Sequence, residues 1–245
     1  MGKTDEYRQT LGTLDQWDAY LLEQSGLPGP RGNLELAAAV ADAGDEALFR
    51  RYLAYGPDVA PANTAEEFLA FCGTLGLGRL LAEGRRDLLP ELRRLAGDPR
   101  WRTREAVAMA LQRWGERDMD ALLDEMEAWG AGSPLEQRAA SAGLCEPKLL
   151  GRPAQAARVL RLLDAITATI PGQAERRSEE FQALRKGLAY CWSVAVVALP
   201  PAGKPLLEKW LASADRDIVW IMRENLKKNR LQKMDAGWAE KMSAY

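Results

Sequence analysis

The sequence contains no histidine in 245 residues. Without imidazole there is no Ser/His/Asp or Cys/His proton relay, no His-ligated metal site and no histidine pH switch. Cysteine is scarce as well. Cys72, Cys145 and Cys191 are too few and too far apart for a thiolate zinc cluster or a disulfide framework, which fits a reducing cytoplasm and predicts three buried small hydrophobes. Branched strand formers are nearly missing, with 8 valines and 4 isoleucines against 39 alanines and 36 leucines. A chain so short of strand-favouring side chains and so rich in the best helix formers is all-α. No run reaches the roughly 18 uncharged apolar residues of a membrane span. The longest candidate, residues 187–201, is interrupted by Ser193, and Asp5 and Glu6 spoil any secretory pattern at the start.

What is present is clear helix punctuation. Asn33 precedes LELAAAVADAG, Thr64 with Glu67 forms the pattern of a capping box, and Ser133, Pro134 and Glu136 combine cap, first-turn proline and box. Asp98 with Pro99 opens a segment ending at Gly115, and Asp118 precedes one running to Gly130. Further helices are predicted over residues 11–24, 45–55, 86–96, 153–169, 178–199, 203–212 and 215–231. Most connectors are short, so consecutive helices are expected to pair as antiparallel hairpins.

The pattern Asp98, Trp101, Arg104, Glu105 returns as Asp217, Trp220, Arg223, Glu224, 119 residues later. That interval is close to three periods of roughly 40, the length of a two-helix repeat. At these residues a family resemblance enters. The stretch LAGDPRWRTREAVAMALQRWG, residues 95–115, resembles a HEAT repeat, with Asp-Pro at the start of the second helix, an arginine six residues after the aspartate, and small and apolar positions ending in glycine. It departs by having Thr103 where the HEAT pattern commonly has valine. The second copy, residues 215–231, keeps the acidic start and the arginine but carries polar Asn225 and Lys227. The resemblance implies a HEAT-like, armadillo-type solenoid of about five to six hairpins, each burying one face against its neighbours. One curved domain over residues 1–245 is expected, with residues 1–62 a less regular cap and 63–245 the regular repeats. It also implies that Arg104 and Arg223 connect neighbouring repeats through Asp98 and Asp217.

The net charge of −2 conceals alternation: −7 over residues 1–78, +4 over 79–117, −6 over 118–146 and +7 over 147–245. Such blocks either favour packing of adjacent hairpins or form a basic surface. Arginine outnumbers lysine by 24 to 9, and its planar fork suits phosphate or carboxylate. The candidate binding residues are therefore Arg100, Trp101 and Arg113, then Arg185, Lys186, Tyr190 and Trp192, and finally Lys227, Lys228 and Arg230. The apolar run GLAYCWSVAVVAL reads equally well as a central buried helix.

Two functional classes remain. One is a non-catalytic binding scaffold holding a protein partner or a nucleic-acid backbone, with no cofactor, no metal and no membrane. The other follows from resemblance to the DNA-alkylation-repair branch of HEAT-like proteins, which hold damaged DNA with tryptophans and an aspartate. Trp114 and Asp118 are the weakly matching catalytic pair, and Asp118 reads more simply as a helix cap. GTLGLG, residues 73–78, has the composition of a phosphate loop but neither the preceding strand nor the lysine and hydroxyl that follow one.

Overall fold

The computed structural model describes residues 2–244, and among them every regular element is helical. These residues form two compact units that part between Arg117 and Asp118.

The first unit contains α1 (Lys3–Leu11), α2 (Asp18–Gln24), α3 (Leu34–Ala43), α4 (Glu46–Leu53), α5 (Ala65–Ala82), α6 (Leu89–Leu95) and α7 (Trp101–Arg117). Helices α1, α3, α5 and α7 pack each on the next, while α2, α4 and α6 lie against α5 or α7. Helix α5 is the centre of the unit and is buried on every side, the condition of a helix apolar all round. Its glycines explain the close packing. A Cβ on Gly76 would lie 2.4 Å from the Phe49 ring, and one on Gly78 would lie 2.4 Å from Ala110 Cα and 2.6 Å from its carbonyl. GTLGLG is thus a helix face that lets α4 and α7 approach the α5 backbone.

The second unit contains α8 (Met119–Gly130), α9 (Pro134–Leu144), α10 (Pro153–Thr169), α11 (Glu179–Ala198), α12 (Pro200–Leu211), α13 (Arg216–Leu226), α14 (Asn229–Met234) and α15 (Ala236–Ser243). Helices α8, α10 and α12 pack in one row and α9, α11 and α13 in another, with contacts between the rows. Trp129, Trp192 and Phe181 fill the core between them. Asn225, the polar departure in the second repeat copy, is completely buried. Its amide donates to the Leu188 carbonyl at 2.9 Å and the Ile221 carbonyl at 2.8 Å, and it accepts from the Ser193 backbone N–H at 2.8 Å. It thereby joins α13 to the backbone of α11.

Local punctuation behaves largely as the sequence predicts. Asn33 accepts from Leu36 N–H, Asp118 from Ala121 N–H, and Ser133 with Glu136 closes a full capping box. The Thr64 box is different: the Thr64 hydroxyl donates to the Pro61 carbonyl, and Glu67 accepts from Asn63 N–H, one residue upstream of the expected donor. Of the helix predicted over residues 11–24 only the second half forms, as α2; α1 is not among the predicted helices, and it ends at Leu11 with Gly12 as its cap and the Trp17 indole donating to the Leu11 carbonyl. The one predicted over 215–231 breaks after Leu226. The two Asp/Trp/Arg/Glu copies also differ in register, since Trp101 is the first residue of α7 and Trp220 the fifth of α13.

Because α5 and α7 meet backbone to backbone at Gly78, Gly78→Ala should lower stability by about 1–3 kcal/mol through overpacking. Gly151→Ala, where an added Cβ meets nothing within 4 Å, should leave the thermal midpoint unchanged.

Candidate functional site

The first unit carries an open apolar pocket of about 280 Å³. Its floor is Leu27, Leu34, Phe68 and Phe71, and Trp101 forms a wall that remains 47% exposed. The Phe68 and Phe71 rings lie nearly parallel, 5° apart, with centroids separated by 6.4 Å. Arg31, Arg102 and Glu105 add charge to the lining.

The loop from Ser25 to Gly32 is held in place by specific bonds. Gly26 has a φ of +73°, and a Cβ there would fall 2.9 Å from the Arg31 carbonyl, so only glycine fits. The loop closes through Asn33 N–H to the Ser25 carbonyl at 2.8 Å and Leu27 N–H to the Ser25 hydroxyl at 3.1 Å. Its far side is tied to α7. Arg102 donates to the Gly29 carbonyl at 2.6 Å, to the Asn63 side-chain oxygen at 3.2 Å and to Glu67 at 3.2 Å. Asn63, at a φ of +67° that asparagine tolerates, also accepts from Gly29 N–H at 3.0 Å. The Arg102 guanidinium lies 4.4 Å from the Trp101 ring centroid, so one buried cation fixes both the loop and the exposed indole.

The other candidate residues separate sharply. Arg100 is only 4% exposed, because its guanidinium grips Asp98 and donates to the Tyr55 carbonyl at 2.8 Å and the Ala60 carbonyl at 3.1 Å. Arg113 pairs with Asp42. Arg185 stacks 3.5 Å from the Trp220 ring centroid and pairs with Asp217 at 2.9 Å. Trp192 is fully enclosed, its indole donating to the Thr167 hydroxyl at 3.1 Å. Arg100 and Trp192 therefore present no surface to a partner. Trp114 is buried with Arg86 stacked 4.1 Å from its ring centroid, and the Asp118 carboxylate caps α8.

Comparison of the chain with protein-family models, with curated proteins and with solved structures finds no significant match in any of the three.

In the second unit Tyr190 is exposed, with Arg230 stacked 4.5 Å from its ring centroid and donating to its hydroxyl at 2.6 Å. A shallow cavity of about 320 Å³ lies beside Arg230, lined by Pro147, Leu150, Val194, Val197 and Ala198. Lys186 is exposed, Lys227 pairs with Glu224 at 2.5 Å, and Lys228 is the half-buried N-cap residue of α14.

The two aspartates of the recurring sequence pattern carry ion pairs, Asp98 to Arg100 and Asp217 to two arginines. Asp217 pairs with Arg176 at 3.0 Å as well as with Arg185, and Arg104 donates to the Asp98 and Pro99 carbonyls. Arg176 also grips Asp215 at 2.6 Å and holds the Asp215 carboxyl below its ordinary range. Burial pushes the Cys72 and Cys145 thiols well above theirs, which suppresses the thiolates. Among the described residues no cluster of three or more acidic or cysteine ligands could hold a metal, and no helix is long and apolar enough to cross a membrane.

The sequence names Trp101 but misses its neighbours: no motif marks Phe68 and Phe71, and Gly26 to Gly32 is a dense glycine and proline run whose role depends on Arg102, some 70 residues away.

Arg102→Met should cost about 3 kcal/mol or more, since it takes the ion-pair partner from the buried Glu67. Faster amide exchange at Gly29, whose N–H shares the Asn63 oxygen with Arg102, is the accompanying readout. For Asp215, whose native pKa is depressed, the linked stability is present at neutral pH and disappears as the pH falls from the ordinary carboxylate range through the lowered native value. Arg176→Gln should flatten that acid-side decline in urea midpoints measured against pH.

Proposed function

We propose that the chain is a HEAT-like helical-repeat scaffold without catalysis of its own, and that it holds a protein partner through the pocket beside Trp101. The observation that carries this reading is the contrast between the arginines and that tryptophan. Arg100, Arg102 and Arg113 direct their guanidinium groups to internal oxygens, whereas the large aromatic at the head of α7 is left exposed over an apolar cavity. Exposed aromatic anchors over well-packed apolar pockets are how protein interfaces concentrate their binding energy. A nucleic-acid backbone would instead need several unpaired cations along its path.

Two further features support the reading. Alternate helices pack in two rows in the second unit, the arrangement that stacked αα-hairpins produce, and in one row, α1, α3, α5 and α7, in the first. Three buried, unpaired thiols suit a reducing cytoplasm. Against base excision, Trp114 is covered and the Asp118 carboxylate caps a helix.

Labelled duplex DNA should show no binding at low salt, and alkylated duplex should release no base when incubated with the protein. A salt-steep binding isotherm or measurable base release would overturn the scaffold reading. In affinity capture, Trp101→Ala should lose a protein that the parent chain and Tyr190→Ala both retain.

A further inference from the structure

We infer that the residue filling the Trp101 pocket is a basic side chain, an arginine or lysine carried by the protein partner; this rests on the scaffold reading above.

The charges in the wall decide the sign of the occupant. Arg102 is balanced by Glu67 at 3.2 Å, and Arg31 on the rim faces Glu35 at 3.7 Å. Glu105 is different. It is half-buried in the lining, and among the described residues it has neither a hydrogen-bond partner nor an ion-pair partner. It lies one helical turn beyond Trp101 on α7, so both side chains project from the same face. A carboxylate partly withdrawn from water among Phe and Leu side chains is poorly solvated, and a cation from outside restores what burial removed.

Arg102 offers an anion little. Both of its terminal nitrogens are already donating, and its remaining Nε is enclosed and without a partner. An acidic occupant would meet the unpaired Glu105 and no available donor from Arg102. A basic occupant meets Glu105 together with the aromatic rings of Trp101, Phe68 and Phe71, to whose faces a cation is attracted.

Size narrows the occupant further. About 280 Å³ falls just below the roughly 300–1,000 Å³ of pockets that enclose drug-sized ligands, and it suits one long side chain. The apolar floor would cover the methylene stem of lysine or arginine while the charged end reaches Glu105.

The test uses the full ¹⁵N-labelled chain and four probes: the N-acetyl, N-methylamide derivatives of arginine, lysine, leucine and glutamate. The readout is the Trp101 indole N–H resonance, assigned by its disappearance in Trp101→Phe. The arginine or lysine probe should shift this resonance saturably at millimolar concentration and more tightly than leucine or glutamate. Glu105→Gln, which removes charge from a side chain with no structural partner, should weaken the basic probe at least fivefold and leave the leucine probe unchanged. Equal binding of leucine, tighter binding of glutamate, or indifference to Glu105→Gln overturns the basic anchor while leaving the pocket as a docking point. Silence from all four probes overturns the pocket itself and, with it, the proposed site of the scaffold.

Discussion

In an all-helical chain the backbone satisfies its own hydrogen bonds inside each helix and runs short of partners wherever the chain turns. Here arginine supplies the missing donors. Arg79 donates to the Gly44 carbonyl, Arg100 to those of Tyr55 and Ala60, Arg102 to that of Gly29, and Arg176 to that of Ile170. Arg100, Arg102 and Arg176 also grip a carboxylate with the same guanidinium. A planar group with five donors can bond a loop and an acid at once, whereas an ammonium on a flexible stem is less suited to that geometry. These internal ties give four of the 24 arginines a structural role.

Helix content and much of the punctuation were legible in the sequence because they are local. Asn33, Asp118 and Ser133 cap helices whose hydrophobic rhythm begins within a few residues of them. Interruptions decided by distant or bulky neighbours were not legible, as at Trp17, whose indole closes α1. The candidate site divides along the same line. Trp101 stood out as a residue, but its meaning comes from Phe68, Phe71 and the Gly26–Gly32 loop, which converge only through Arg102 and Glu67. Arg100 was misleading for the same reason, since the carbonyls it serves lie 40 and 45 residues upstream.

Two features of the helix packing act as joints. Asn225 places an amide where an apolar side chain is expected and uses it to bond α11 and α13 together. The glycines of α5 replace side-chain interdigitation with direct approach of backbone to neighbouring atoms. Both exchange tolerance of substitution for a definite helix spacing. A definite spacing on either side of α5 in turn holds Phe68 and Phe71 under the indole of the adjoining helix.

The arginine ties also alter which parts of the chain can change length. Surface connections ordinarily accept insertions readily, because closing a longer loop costs little entropy. The segments near Gly29 and between Tyr55 and Ala60 are tied to the buried guanidinium groups of Arg102 and Arg100, so an added residue displaces carbonyls from their donors. Evolutionary growth of this protein, or grafting of a new peptide into it, is therefore directed away from these turns and toward untethered ones such as Gly151, where the backbone has open space around it.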